Sequence, residues 1–254
     1  MLKDERLEKI EEYVNSNRYA SLHELAGRFA ISKATIRRDL EALERKKRVV
    51  LTRGGASSIN KGSSYELPYF EKRQSRHEEK VRIARAACRR IRPGETVMID
   101  SGTTGYEMAD FMADIRGVYA ATNDLMTALA LTKHPDLDLI VIGGNVRKGF
   151  YTAHGYFAAA DIGNYYFDRA FLCVDAINLK YGCMITNADE VDVKQGIINS
   201  AKEVTVICDH SKFAETAFVS VGTLDKVHGI ITGRELDRKI YDAFTEKGCR
   251  IELV

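Results

Sequence analysis

Two stretches of this sequence carry residue types suited to gripping phosphate. The first runs from Ser32-Lys33-Ala34-Thr35-Ile36-Arg37-Arg38-Asp39-Leu40 through Arg45-Lys46-Lys47-Arg48 to Arg53-Gly54-Gly55. Arginine can bond guanine O6 and N7 with two parallel N–H groups, and lysine supplies a point charge for the backbone of a duplex. The second is Asp100-Ser101-Gly102-Thr103-Thr104. Small hydroxyl residues around a glycine, where a strand gives way to a helix, leave backbone N–H groups and hydroxyls facing an anion. A plain helix cap uses the same residues, so this loop alone does not decide between the two.

The charge distribution sharpens the first reading. Net charge is only +2 over 254 residues, but residues 28–53 hold nine basic side chains against three acidic ones. A local basic block on a near-neutral chain is an electrostatic footprint for phosphates. No apolar run approaches the roughly 20 residues of a membrane-spanning helix, and the N-terminus lacks the apolar core of a secretory signal. Cys88, Cys173, Cys183, Cys208 and Cys249 are scattered and odd in number, which fits reduced, buried thiols in the cytoplasm.

The elements that position the basic block follow from apolar spacing. Leu7, Ile10 and Val14 mark a first helix. Ser21 with Glu24 has the form of a capping box opening a second helix that buries Leu22, Leu25, Ala26 and Phe29. Ser32 caps a third, with Ile36, Leu40 and Leu43 inward. Arg37 then lies on the flank and Arg38 outward. Lys33, Ala34, Thr35, Arg37 and Arg38, near the start of that helix, are the candidate base readers. Lys46, Lys47, Arg48 and Arg53 are candidate phosphate contacts, with Arg53 on the turn after a strand over 48–52. Three helices followed by a basic strand and a Gly-Gly turn make a winged helix-turn-helix.

Asn60-Lys61-Gly62-Ser63-Ser64 is linker-like, and a helical pattern follows from Pro68 to about Ile91. The expected organisation is a winged domain over 1–59, a linker over 60–75 and an α/β domain over 76–254. Strands are expected near 96–100, 118–122, 137–142, 170–174, 204–208, 217–221, 229–232 and 250–253, with helices between most of them. That alternation predicts a mainly parallel sheet covered on both faces. Its polar strand ends, at Thr122-Asn123, Gly143-Gly144-Asn145, Asp175 and Asp209-His210-Ser211-Lys212, converge where open parallel sheets bind ligands.

The helix Thr35-Ile36-Arg37-Arg38-Asp39-Leu40, then Leu43-Glu44, then the strand into Gly54-Gly55-Ala56, resembles the DNA-binding signature of the DeoR family of bacterial transcription regulators. That family usually has His before Gly-Gly-Ala, where this chain has Arg53. The resemblance covers nearly the whole chain. The C-terminal part looks like the family's sugar-phosphate sensor, whose α/β fold resembles ribose-5-phosphate isomerase. The resemblance implies that Ser101, Gly102, Thr103 and Thr104 hold a phosphate. It further implies that Asp100, Asn123, Gly143, Gly144, Asp175, Lys194 and Lys212 face the sugar or close the pocket. Phe171 to Ile177 replaces a more Gly-rich segment, so Cys173 and Ala176 are expected to narrow it. The implied partners are double-stranded operator DNA and a phosphorylated sugar, with a dimer or tetramer expected from two-fold operator symmetry.

An isomerase needs a carboxylate base and a second acid, and Asp175, Glu190 and Lys194 offer the residue types. Ala176 and Asn178 stand where the isomerase pattern is more acidic. The expectation is a binding pocket without turnover, with a sugar-phosphate isomerase carrying a DNA-binding appendage as the alternative. A structural DNA-binding protein whose large domain only oligomerises is a third. The histidines show no metal-ligand spacing, and neither metal nor cofactor is expected.

Overall fold

The computed structural model describes residues 3–58, 63–64, 66–213 and 215–254, and the chain packs as two units, Met1–Ser75 and Arg76–Val254. Most of the linker-like stretch 60–64 lies outside the described residues.

The first unit contains α1 (Lys3–Asn17), β1 (Tyr19–Ser21), α2 (Leu22–Phe29), α3 (Lys33–Arg45), β2 (Val49–Thr52), β3 (Gly55–Ser58) and α4 (Tyr69–Gln74). Ser21 Oγ accepts the Glu24 N–H, and Ser32 Oγ accepts the Thr35 N–H, so both N-caps form as their sequence predicts. The Glu24 side chain does not return to Ser21 but accepts from Tyr13 Oη, tying α2 to α1. Leu7, Ile10, Val14, Leu25, Ile36, Leu40, Leu43 and Val49 form the core beneath a small antiparallel sheet ordered β1-β3-β2. This is a winged helix-turn-helix. Sequence reasoning missed β1 and β3, each three or four residues long and without strand-like alternation.

The helix expected from Pro68 to Ile91 is two helices. Backbone regularity breaks at Ser75-Arg76, where Arg76 takes a left-handed φ of 52°. The apolar spacing behind that expectation, Val81, Ile83, Ala84, Ala87 and Ile91, lies wholly after the break.

The second unit begins with α5 (His77–Cys88), β4 (Thr96–Ile99), α6 (Thr103–Tyr106), α7 (Ala109–Met112), β5 (Tyr119–Thr122), α8 (Leu125–Leu131) and β6 (Asp138–Val141). A hairpin of β7 (Asn145–Arg147) and β8 (Thr152–His154) leads to α9 (Tyr156–Ile162) and β9 (Phe167–Leu172). Next come β10 (Ala176–Asn178), β11 (Gly182–Ile185), α10 (Val191–Asn199), β12 (Ala201–Ile207) and β13 (Val219–Gly222). The chain ends with β14 (Gly229–Thr232), α11 (Arg238–Glu246) and β15 (Ile251–Leu253).

Seven strands form one fully parallel sheet, ordered β15-β14-β12-β9-β4-β5-β6. Alternate side chains of β4 feed opposite cores. Met98 joins Ile162, Val193, Ile197 and Phe244 on one face. Val97 and Ile99 join Ile83, Ala87, Met112 and Leu131 on the other. Burial on both faces explains why the central strands read as continuous apolar runs. From β4 the chain builds outward to β5 and β6, then returns to lay β9 on the other side of β4. That reversal leaves a crevice beyond the carboxyl ends of β4 and β9, the place where such sheets take ligands. Strands β10, β11 and β13 form a separate antiparallel sheet. Among the described residues no helix is long and apolar enough to cross a membrane.

Candidate functional site

The first candidate surface is α3 with the β2–β3 turn. Ile36, Asp39, Leu40 and Leu43 are buried, and Lys33, Ala34, Arg37 and Arg38 are exposed, with Thr35 half-buried beside its cap Ser32. Asp39 is held by Arg6 of α1 in a two-pronged contact, Nε to Oδ2 at 2.6 Å and Nη2 to Oδ1 at 3.1 Å. Hydrogen bonding to Asp39 raises the Arg6 pKa, so the clamp that sets the pitch of α3 stays charged.

Arg37 contacts Glu41 one turn on at 3.4 Å, and Arg48 is paired with Glu11 of α1. Lys33, Arg38, Lys46, Lys47 and Arg53 are exposed and make no ion pair among the described residues. Lys47 occupies the left-handed position after α3, at φ 54°. Its N–H donates to Glu44 O, and the Arg48 N–H donates to Leu43 O, the bonding of a Schellman turn. That turn throws Lys46 and Lys47 outward. An unpaired cationic face on a rigid helix can meet a phosphate backbone at little desolvation cost.

The second candidate site lies in the crevice at the carboxyl end of the parallel sheet. Asp100, directly after β4, is fully buried. Its Oδ2 accepts the Cys173 N–H at 2.9 Å and the Lys194 ammonium at 2.7 Å. Lys194, from α10, also donates to Cys173 O at 3.1 Å and approaches Ser101 O at 3.5 Å. Burial works against the Lys194 charge, but Asp100 and Glu190 hold its pKa above the ordinary lysine range. These two residues, expected to face the sugar or close the pocket, are bonded to each other.

The loop over them has a defined polarity. The Ser101 N–H donates to Asn123 Oδ1 at 3.0 Å and the Gly102 N–H to Asp124 Oδ2 at 3.3 Å. Asn123 is anchored in turn by donating to Ala153 O. The next three N–H groups, of Thr103, Thr104 and Gly105, open α6 with no acceptor among the described residues. All three residues are buried. Gly102 has φ 153°, and a Cβ there would lie 2.7 Å from Cys173 Cβ. A Cβ on Gly105 would lie 2.7 Å from Asp100 O. Both glycines are close-approach points, which is what keeps the loop flat over the strand ends.

Other expected residues surround this loop. Gly144, at φ 148°, lets the β6 end pass within contact of His154 O and Ala158, while Gly143 is exposed. Asp175 accepts from both the Thr186 N–H and its hydroxyl at 3.0 Å. Lys212 lies beyond β12, in the short turn capped by Asp209. Burial pushes the Asp209 pKa up, but the charges of Lys212 and Lys80, with the Ser211 hydroxyl, bring it down to about 2.

Two participants, Asp124 and Arg147, escaped sequence reasoning. Asp124 caps α8 through the N–H groups of Met126 and Thr127 while holding Gly102. Burial raises its pKa to about 6 against those hydrogen bonds. An aspartate just before a helix start is an N-cap signal that could have found it. Arg147 of the β7–β8 hairpin donates to Glu190 at 2.9 Å, and nothing in the local sequence announces that pairing. Cys173, which was expected to narrow the pocket, lies against Gly102. Elsewhere, Glu79, His210 and Glu235 bring one ligand atom each within 4.8 Å of one another, but His210 donates its N–H to Glu79, and Arg82 donates to Glu235.

Known proteins match both units. Residues 6–62 match the DeoR-like helix-turn-helix domain and residues 75–234 the DeoR C terminal sensor domain. The chain is 34% identical over 235 residues to the HTH-type transcriptional regulator IolR of Bacillus subtilis (strain 168), covering 91% of this chain and 92% of that one. It is 29% identical to the glycerol-3-phosphate regulon repressor of Escherichia coli (strain K12), covering 100% of both. Among solved structures, ribose 5-phosphate isomerase from Plasmodium falciparum is similar over 53% of this chain and 52% of that one, with TM-score 0.40 and 15% identity. With a winged basic helix at one end, a sensor-domain match over the parallel sheet, and full-length regulators as relatives, the chain belongs to the DeoR family of transcription regulators.

Proposed function

We propose that this regulator is a repressor that holds operator DNA with α3 and the β2–β3 turn and releases it when a phosphorylated sugar or polyol enters the crevice of the second unit. The observation that carries the effector half is the row of three unaccepted N–H groups at Thr103, Thr104 and Gly105, backed by the Thr103 and Thr104 hydroxyls. Buried donors without acceptors are costly, and a phosphate oxygen satisfies them. The name of one relative, a glycerol-3-phosphate regulon repressor, supports a polyol phosphate as the class.

In this reading Ser101, Thr103 and Thr104 bind the phosphate. Asn123 and Asp124 hold the loop from behind, and Asp100 with Lys194 braces it from below. Asp100 is engaged by Lys194 and Asp175 by Thr186, which supports binding without turnover. The protein works in the cytoplasm as a dimer or tetramer, since paired half-sites reward two-fold symmetry. Coupling of about 1–3 kcal/mol between the two ligands gives a 5- to 150-fold change in operator affinity.

The test is a thermal-shift screen of sugar and polyol phosphates against their unphosphorylated counterparts and inorganic phosphate. The expected result is a rise in Tm for one phosphorylated compound, lost in Thr103→Val, and release of operator at the same concentration. A screen in which no phosphorylated compound moves Tm removes the effector role.

A further inference from the structure

The β2–β3 turn carries a feature that the DNA-binding reading does not use. Glu71 of α4 lays its carboxylate on Gly54, so closely that a Cβ on Gly54 would lie 2.2 Å from Oε2 and 2.8 Å from Oε1. Oε2 is buried and has no hydrogen-bond partner, and neither has the nearby-in-sequence Thr52 Oγ1. No ion pair neutralises Glu71 among the described residues. The adjacent residue, Arg53, is exposed and unpaired.

An unneutralised carboxylate in this position has a physical consequence. The turn is part of the surface proposed to meet DNA, and Arg53 is the exposed cation on it. A fixed negative charge one residue away repels the same phosphates and lowers the potential that Arg53 presents. Desolvating Glu71 further against DNA adds to that cost, because its buried oxygen already lacks a donor.

We infer that Glu71 is a negative determinant of DNA affinity, a charge held on the wing turn by the missing side chain of Gly54. The glycine is required by the carboxylate and not by its own backbone, because Gly54 is absent from the positive-φ glycines and alanine can adopt its conformation. An alanine there expels the carboxylate, since the colliding atoms are the far end of a flexible side chain.

Two variants of the full-length protein therefore reach the same end by different routes. Glu71→Gln removes the charge in place, and Gly54→Ala displaces it into solvent. Binding to a random-sequence 25-base-pair duplex is followed by fluorescence anisotropy at low and at high salt. Glu71→Gln is expected to tighten binding by about threefold to tenfold at low salt, with the gain collapsing as salt rises. Gly54→Ala is expected to give a smaller gain, and to add nothing in the Glu71→Gln background, because both act on one charge. Thermal melts identify a variant that has lost its fold, and the other variant then stands alone.

Binding that is unchanged or weaker in folded variants overturns the inference while leaving the DNA-binding role intact. So do gains that simply add in the double variant, or that persist at high salt. Wild-type protein with no affinity for the duplex overturns both.

Discussion

Lys194 Nζ sits 2.7 Å from Asp100 Oδ2, both residues shut away from solvent at the point where the parallel sheet reverses its direction of growth. The pair joins α10 to the end of β4, and through Cys173 O and Ser101 O it also ties down the end of β9 and the start of the Ser101–Thr104 loop. Removing one partner leaves a buried charge with no counter-charge. Lys194→Met is expected to lower the unfolding free energy by about 3–5 kcal/mol, and Asp100→Asn added to it to restore part of the loss. Urea unfolding midpoints of the single and double variants check this. A Lys194→Met protein as stable as wild type would mean the pair carries no structural role.

Lys47 allows charge and stability to be separated on the face proposed to meet DNA. Its left-handed φ of 54° disfavours a side chain, while its ammonium is unpaired. Lys47→Gly is expected to stabilise the protein by about 0.5–1 kcal/mol and yet weaken binding to all duplex sequences alike, with a shallower dependence on salt. Arg38→Ala is the contrast. Arg38 is a proposed base reader on the exposed face of α3, and its loss is expected to cost about 1–3 kcal/mol on the operator and little on random DNA. Equal losses for both variants on both duplexes would contradict this division of roles.

Asp124 gives a pH dependence with a definite sign. Its folded pKa, near 6, stands above the ordinary value of 3.8. Between those pH values the folded protein binds more protons at this site than the unfolded chain. The contribution of Asp124 to stability therefore grows as pH falls through 6. Asp124→Asn keeps a capping residue but cannot titrate. From pH 7.5 to 5, wild type is expected to gain about 1–1.5 kcal/mol relative to Asp124→Asn, read from denaturant unfolding at each pH. A stability difference that stays flat over this range would show that Asp124 titrates normally.

What the sequence disclosed depended on how local the signal was. The caps at Ser21 and Ser32 and the apolar stripe Ile36-Leu40-Leu43 are written within single helical turns, so the winged fold could be read directly. The parallel sheet was legible because strands buried on both faces leave unbroken apolar runs such as Val97-Met98-Ile99. The short strands β7, β8, β10 and β11 were not, since three or four residues carry too little periodicity to distinguish from a turn. In the crevice, the loop was marked by Ser-Gly-Thr-Thr, but which of its N–H groups remain available was not. That depends on Asn123 and Asp124 reaching back over 22 residues to Ser101 and Gly102. Likewise Lys194 and Asp100 are 94 residues apart, and only the sheet order brings them together.

Gly102 offers the most direct test of the proposed phosphate loop. Its φ of 153° is unfavourable for any side chain, and an added Cβ would meet Cys173 at 2.7 Å from Cβ and 2.8 Å from Sγ. Cys173 is buried and fixed through its N–H to Asp100, so the loop and not the cysteine must give way. Gly102→Ala is thus expected to destabilise the second unit by about 1–3 kcal/mol and to tilt the Thr103, Thr104 and Gly105 N–H groups out of register. The thermal shift with a sugar or polyol phosphate should vanish, while operator binding in its absence survives. Adding Cys173→Gly relieves the collision but not the backbone strain, so stability should return in part. A Gly102→Ala protein that keeps the wild-type ligand response would place the phosphate somewhere other than this loop.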